Sequence, residues 1–352
     1  MKTLVLFLSF FTVMFFPVDS FAQLTGTKAI PGDYPTIETA IVALNLQGVG
    51  LGGVTFNVAS GHTETFSLSL VGTITATGTQ ADQIIFQKSG GGANPLITAA
   101  LGGTGTTDGI IKITGGDYIT FDGIDIQENS SNTNSITQME WGYALVKRNA
   151  SAPVDGCWNV TIKNATITLN RANTASVAIY SGNHLATSTS SLTLSDSLDV
   201  VAYCKYFNNI ISNSYHGIRM KGSTSSSFYD QNNEIGNQSD GGNTISNYGG
   251  GSSSAYGMNI EYQKDLSVSY NIVGNNAPSQ TGVLYGLRTG SGNNSNVDIY
   301  NNTVMNLTQG GTSLIYAMTN SMGSIGTDNV VNIHDNLVEN CLQPNSTSNS
   351  VW

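Results

Sequence analysis

Ile299-Tyr300-Asn301-Asn302-Thr303-Val304-Met305-Asn306 carries the pattern from which the fold is read. An apolar residue is followed by Asn three places later, a β-branched apolar residue five places later and a second Asn seven places later. The pattern returns as Ile333, Asn336, Val338 and Asn340, as Val268, Asn271, Val273 and Asn275, and as Tyr206, Asn209, Ile211 and Asn213. Weaker copies begin at Phe121, with Ile126 and Asn129, and at Ile162, with Ile167 and Asn170; Ile124 and Ala165 stand where the first Asn belongs. A second motif follows at variable distance: Tyr256-Gly257-Met258, Tyr285-Gly286-Leu287 and Tyr316-Ala317-Met318, with Tyr143-Ala144-Leu145 and His216-Gly217-Ile218 as variants. Each repeat thus reads as two short strand segments separated by turns and loops of uneven length.

Strand chemistry follows from the two-residue alternation of Val297-Asp298-Ile299-Tyr300. Asn tolerates the left-handed backbone region and suits the sharp corner between two strands. Stacked corners let Asn side chains hydrogen-bond from rung to rung, so Asn209, Asn271, Asn302 and Asn336 are expected to form a structural ladder. The copies at Val268, Ile299 and Ile333 lie 31 and then 34 residues apart, one turn of a coil plus loop insertions. A repeat that cannot bury its own apolar face stacks on its neighbours. An up-and-down antiparallel barrel would need hairpin turns and no long period. The expected fold is therefore all-β, a right-handed parallel β-helix, the hand following from the crossover preference.

The N-terminal part differs. Ile37, Ile41 and Leu44 have helical spacing, with Pro35 and Thr36 as starting residues and Gly48 as the stop. A short helix here caps the open end of the coil, which would otherwise show a bare sheet edge. Val54–Val58 reads as the first strand, and Gln83–Phe86 and Ile110–Ile113 as further rungs.

Before that helix, Lys2 and the apolar run from Leu4 to Phe16 are followed by Pro17 and by Ser20-Phe21-Ala22. Residues 1–22 read as a secretory signal peptide cut before Gln23; the run is shorter than the ~18–20 apolar residues a span needs. The mature chain, 23–352, reads as one domain with no membrane span, secreted or associated with an outer surface. Charged residues are 10% of the chain, with 40 Gly and a formal net charge of −10. That charge disfavours nucleic acid and anionic membrane surfaces as partners. Cys157, Cys204 and Cys341 are odd in number, form no C-x-x-C pair and read as small buried residues, with one bridge left open. No cofactor motif is present, and no His/Cys spacing suggests zinc.

Gly32-Asp33-Tyr34-Pro35-Thr36-Ile37-Glu38-Thr39-Ala40-Ile41 resembles the capping opening of pectin-esterase and pectate-lyase type β-helices, a pectin-lyase-like solenoid. Nearly all of the mature part resembles the N-terminal region of large exported surface proteins of Bacteroidetes-type bacteria. The resemblance is carried by Gly53–Ala59, Phe86–Gly90 and Asp117–Ile124. It implies export by the type IX route and a C-terminal sorting domain in the full protein; activity in that group is mostly unassigned. Ser350-Val351-Trp352 lines up with Val283-Leu284-Tyr285, so the chain is expected to stop inside a rung, as a fragment of a longer protein.

Candidate site residues are few. Arg219 and Arg288 sit two residues after the Gly of the second motif, with Asn259 and Thr319 in the same place on other rungs. Rungs stack about 4.8 Å apart, so these residues form a column that either reads carboxylates or sulfates or keeps an outer face soluble. Tyr256, Tyr285 and Tyr316, with Trp352 as a further member, form an aromatic ladder, read as a structural stack more than as a sugar platform. Asp122, Asp298 and His334 are placed outward, with Asp298 and His334 on opposite sides of their strands, and Lys264-Asp265 in a loop. There is no Asp-Asp dipeptide, no Arg-x-Pro-x-x-Arg and no Gly-x-Val-Asp-Phe. The sequence therefore favours a non-catalytic structural or adhesive surface module binding extracellular polysaccharide or other surface proteins. The alternatives are a lyase or hydrolase of acidic polysaccharide, for which Ca²⁺ is the cation lyase chemistry would call on, and a rigid spacer.

Overall fold

The computed structural model describes residues 22–326 and 329–345. The expected signal peptide and Trp352 lie outside the described residues, apart from Ala22. The chain coils through three long parallel sheets of ten, nine and eight strands. One turn runs from Leu266–Ser269 in the first sheet to Ile272–Gly274 in the second and Leu284–Gly290 in the third, then back to Val297–Tyr300 in the first. Every strand in these sheets pairs in parallel with the strand one turn away, as in Val268↔Ile299↔Ile333. The fold is a parallel β-helix.

Three readings of the sequence are corrected. Each turn has three strands, not two, because the eight-residue repeat straddles a corner and holds one strand on each side: Val297–Tyr300 and Thr303–Met305. The first strand is Leu24–Ile30, ahead of Val49–Ala59, with which it pairs. Tyr143 is not the counterpart of Tyr256: the register runs Trp141↔Val177↔His216↔Tyr256, so Trp141-Gly142 holds that place. Tyr143 points into the core, fully buried, its hydroxyl donating to the Ile124 carbonyl at 2.7 Å. The residue after the outward aromatic must be small. A Cβ at Gly257 would lie 2.2 Å from Val273 Cγ1, and one at Gly142 would lie 2.4 Å from the Ala178 carbonyl oxygen.

Alternation in each strand sends one face inward. Phe56, Phe86, Phe121, Ile162 and Tyr206 form a buried column in the first sheet, with Phe56 and Phe86 rings stacked at 4.5 Å. Ile97, Ile126, Ile167, Ile211 and Ile245 form one in the second. Burying each such side chain contributes about 1.5–3 kcal/mol. The helix Ile37–Gln47 lies between the first two strands and takes the place of the other two sides of that turn. Its Ile37, Ala40, Ile41 and Leu44 are fully buried. Thr36 caps it, accepting the Thr39 N–H, and Gly48 ends it at φ 69°. The Glu64 carboxylate accepts the free Ile37 and Glu38 N–H groups at 2.7 and 3.0 Å, the favourable placement of negative charge at a helix N-terminus.

The corner between the first and second sheets holds two columns. One residue adopts a left-handed conformation, as at Asn164, Asn208 and Asn301, with φ of 58°, 49° and 52°. The next is buried: Asn209, Asn243, Asn271 and Asn302, with half-buried Asn336 beyond. Each Nδ2 donates to the following Oδ1, at 2.8 Å for Asn209 to Asn243 and 2.9 Å for Asn243 to Asn271, Asn271 to Asn302 and Asn302 to Asn336.

A second left-handed column lies where the third sheet turns into the first: Tyr118, Asn159, Tyr203, Asn232 and Asp265. Asp117 sits beside it, accepting the Trp158 N–H at 2.8 Å and hydrogen-bonded to Thr77. Burial pushes its carboxyl up to about 6. The folded state therefore holds this proton more tightly than the unfolded chain, where the pKa is about 3.9. Its contribution is full below that value and is lost as pH rises through about 6. Screening at this half-buried site trims the effect to about 1 kcal/mol. Asp117→Asn keeps the acceptor for Trp158 and is expected to flatten the pH dependence of the urea midpoint between pH 4 and 7; an unchanged slope would refute the assignment.

Cys157, Cys204 and Cys341 are all unbridged. Burial pushes the Cys157 thiol up to about 12, which leaves it inert at neutral pH.

Candidate functional site

The outer face of the third sheet collects the side chains that the core does not use. Strands Trp141–Lys147, Val177–Leu185 and His216–Lys221 lie side by side there. Together with flanking loop residues they line a groove of about 380 Å³ that includes Glu140, Trp141, Tyr180, Asn183, His184, His216, Arg219 and Lys221. Trp141 and Tyr180 stack at 4.9 Å with planes 4° apart. The aromatic stripe continues along the coil: His216 to Tyr256 at 5.4 Å, Tyr256 to Tyr285 at 4.7 Å and Tyr285 to Tyr316 at 5.0 Å.

Gly182 organises the centre of the groove. A Cβ there would lie 2.6 Å from the Tyr180 hydroxyl and 2.5 Å from His184 Nε2, so only glycine lets the two side chains meet above the strand. They are 2.7 Å apart. His184 Nδ1 lies 2.8 Å from the Leu185 carbonyl, so it carries the proton, and Nε2 accepts from the Tyr180 hydroxyl. Burial lowers the His184 pKa and pushes Tyr180 up to about 12. Burial and the Arg219 charge push His216 down to about 3. Both imidazoles are neutral at physiological pH, and no carboxylate backs His184 to stabilise an imidazolium.

Three buried polar atoms on this wall have no partner: Asn183 Oδ1, His216 Nδ1 and Arg219 Nε. Leaving such groups unmade costs about 1–3 kcal/mol each, a cost a polar ligand would remove. Arg219 forms no ion pair among the described residues. Glu140 is the only carboxylate lining the groove, held by the Asp108 N–H at 3.0 Å and Asn173 Nδ2 at 2.9 Å. Among the described residues no group of three or more His, Cys, Asp or Glu is placed to hold a metal ion.

The structure treats the sequence candidates differently. Arg219, Asn259, Arg288 and Thr319 occupy one column in register. Only Arg219 faces the groove: Arg288 Nη1 is engaged by Glu261 Oε1 at 2.9 Å and by Asn259, itself buried. Tyr256, Tyr285 and Tyr316 are half-buried on the outer face of that same sheet. Asp298 and His334 do not point to opposite sides. Their register partners are Asn332 and Tyr300, two places apart, so both face outward, and His334 Nε2 approaches Asp298 Oδ1 at 3.5 Å. That pair is half-exposed on the last rungs described, far along the coil from the groove. Lys264 belongs to a two-residue strand, Gln263–Lys264, rather than a loop, while Asp265 occupies the adjacent turn. Asp122 pairs with Lys163 at 3.3 Å. Trp141, Tyr180, His184 and His216 were not singled out as site residues; the one signal was the departure of the outward column from its Tyr-Gly motif.

No protein-family model and no curated protein matches the chain. Among solved structures it is similar to an alginate lyase from Paenibacillus sp. str. FPU-7 (13% identity, TM-score 0.47, 85% of this chain and 97% of that one). It is also similar to the pectin methylesterase of Aspergillus niger (14% identity, TM-score 0.44, 89% and 91%) and to the mannuronan C-5 epimerase A-module of Azotobacter vinelandii (14% identity, TM-score 0.37, 90% and 96%). What the chain shares with these proteins is the parallel β-helix.

Proposed function

We propose that the mature chain is an exported surface module that binds an acidic polysaccharide along the outer face of the third sheet. The observation that carries this is the meeting of a stacked Trp141–Tyr180 floor with the unpartnered Arg219 Nε, His216 Nδ1 and Asn183 Oδ1. Aromatic faces pack against the apolar face of a pyranose, a role that falls to the half-buried Tyr256, Tyr285 and Tyr316, since Trp141 and Tyr180 are 3% and 9% exposed and form the floor of the groove. A guanidinium without a protein counter-ion suits a carboxylate or sulfate. The stripe through Tyr256, Tyr285 and Tyr316 offers sugar subsites on successive rungs. A cleavable signal peptide at 1–22, a β-helix domain from 23 to 352, export by the type IX route and a place within a larger surface protein complete this reading, supported by the N-terminal sequence and the resemblance.

Binding fits the chemistry better than hydrolysis, which needs two carboxylates flanking one bond. A second reading, β-elimination at a uronate, is favoured by the Tyr180–His184 hydrogen bond beside Arg219, but the depressed imidazole makes a weak base.

The test is calorimetric titration with polygalacturonate, alginate and chondroitin sulfate. At least one is expected to bind, and Arg219→Ala to weaken it at least ~10-fold, equivalent to about 1.4 kcal/mol. Arg288→Ala, whose guanidinium is already engaged, should change affinity less than about twofold. Equal binding by wild type and Arg219→Ala would sink the proposal; new unsaturated ends would move it to the lyase reading.

A further inference from the structure

We infer that a second sugar site, for a neutral pyranose, lies on the outer face of the first sheet, built from Tyr118, Trp158 and Tyr203. These side chains, with Gln80, Gln83, Asn159, Thr120, Thr161 and Lys205, line a cavity of about 510 Å³, within the roughly 300–1,000 Å³ of small-molecule sites. Thr120, Thr161 and Lys205 are register partners on adjacent strands, pointing opposite to the core residues Phe121, Ile162 and Tyr206. This face belongs to a different sheet from the groove around Arg219.

The backbone gives the first reason to read a ligand here. Tyr118 and Tyr203 adopt φ of 51° and 56°, while Asn159 and Asn232 hold the same turn position on neighbouring rungs at 54° and 53°. Asn suits that region; a bulky side chain there is an outlier with a conformational cost. Tyr262 and Tyr270 also take positive φ, but each packs against another tyrosine, Tyr229 and Tyr300. Tyr203 also has an aromatic neighbour, Trp158 at 5.4 Å, but that neighbour lines the same cavity, and Tyr118 has no aromatic partner among the described residues. The second reason is polar: Trp158 Nε1 is buried and without a hydrogen-bond partner.

Chemistry selects the occupant. Aromatic faces and the amides and hydroxyls of Gln80, Gln83, Asn159, Thr120 and Thr161 match the alternating apolar and hydroxyl surfaces of an uncharged sugar. The lining contains one charge, Lys205, itself exposed, and no carboxylate. An anionic glycan would find no cluster of cations here.

The experiment titrates the full chain with cellohexaose, mannohexaose and chitohexaose, following tryptophan fluorescence and calorimetric heat. At least one is expected to bind and to shift the emission, with Trp158→Phe removing the shift. Tyr118→Asn and Tyr203→Asn place a residue that the turn accepts, so the melting temperature should stay level or rise by about 1–3 °C while affinity falls at least ~10-fold. Arg219→Ala should leave neutral-sugar binding unchanged, which separates this site from the acidic-glycan groove. Three results overturn the inference: silence with all three hexasaccharides, wild-type affinity in both asparagine variants, or loss of binding in Arg219→Ala.

Discussion

Asn271→Ala is expected to destabilise the coil by about 3–6 kcal/mol. Its side chain is fully buried and fully used. Oδ1 accepts both the backbone N–H of Asn243, at 2.9 Å, and its Nδ2, at 2.9 Å. Nδ2 donates to Asn302 Oδ1 at 2.9 Å, to the Ile235 carbonyl at 2.8 Å and to the Ser269 carbonyl at 3.0 Å. Truncation strands these groups where water does not reach, and an unmade buried hydrogen bond costs more than a made one contributes. Because each rung touches only its neighbours, the damage should be local in origin. Amide exchange should accelerate first at Asn243 and Asn271, and the guanidinium midpoint should fall. Asn275→Ala is the control: Asn275 is exposed at a corner with φ 44°, so it loses the left-handed tolerance of Asn and one exposed hydrogen bond accepted from Asn306 Nδ2 at 3.1 Å, about 1–2 kcal/mol in all. Equal midpoints for the two variants would show that the ladder contributes nothing special.

The ladder was readable because its corner is short. Between Tyr300 and Thr303 the chain has room only for one left-handed residue and one buried Asn, so the spacing repeats wherever the corner is unadorned. The rung containing Ile235 does not show that spacing, because its corner is not short. Its chain leaves the strand through Gly236–Gly242 before reaching Asn243, and the insertion hides an Asn that the structure puts squarely in the column. Phe121 and Ile162 lack the Asn because Ile124 and Ala165 fill the corner with buried apolar side chains instead.

The outer faces were much less legible. Inward columns must be apolar, whereas outward columns face water and obey no rule that would mark one residue as special. Tyr143-Ala144-Leu145 imitates the Tyr-Gly-Met motif, yet Gly142 is the residue that the close approach of Ala178 requires to be small. Once the register slips by two, Trp141 drops out of the aromatic stripe and the groove cannot be assembled. The meeting of Tyr180 with His184 rests on the missing Cβ of Gly182, and the second cavity rests on positive φ at tyrosines, which residue identity does not announce. Arg219 and Arg288 looked equivalent by spacing; Glu261, two residues beyond Asn259, separates them by neutralising one.

Asp230→Asn is the second substitution expected to cost several kcal/mol, and its partner variant tests why. Lys147 Nζ lies 3.9 Å from Asp230 Oδ1, with side chains 0% and 1% exposed. Lys147 Nζ has no hydrogen-bond partner, while Asp230 accepts the Val201 N–H at 2.8 Å and Gln263 Nε2 at 3.4 Å. Removing the carboxylate leaves the ammonium buried without its counter-charge, a loss of about 3–5 kcal/mol. Lys147→Met leaves a carboxylate that can take up a proton. Burial already raises the Asp230 pKa, and Lys147 is the largest of the groups that pull it back, ahead of the Val201 and Gln263 hydrogen bonds; without Lys147 it rises further. A carboxyl whose folded pKa exceeds its unfolded value is least costly at low pH, so Lys147→Met should be near wild-type stability at about pH 4 and fall behind as pH rises toward 7. The double variant Lys147→Met/Asp230→Asn should recover most of the loss, and strict additivity in that cycle would show that the two charges do not interact. Lys147 also lowers the His184 pKa. In the methionine variant the His184 imidazole should therefore titrate closer to its ordinary value by NMR, linking a buried pair to the hydrogen bond that His184 accepts from Tyr180 in the groove.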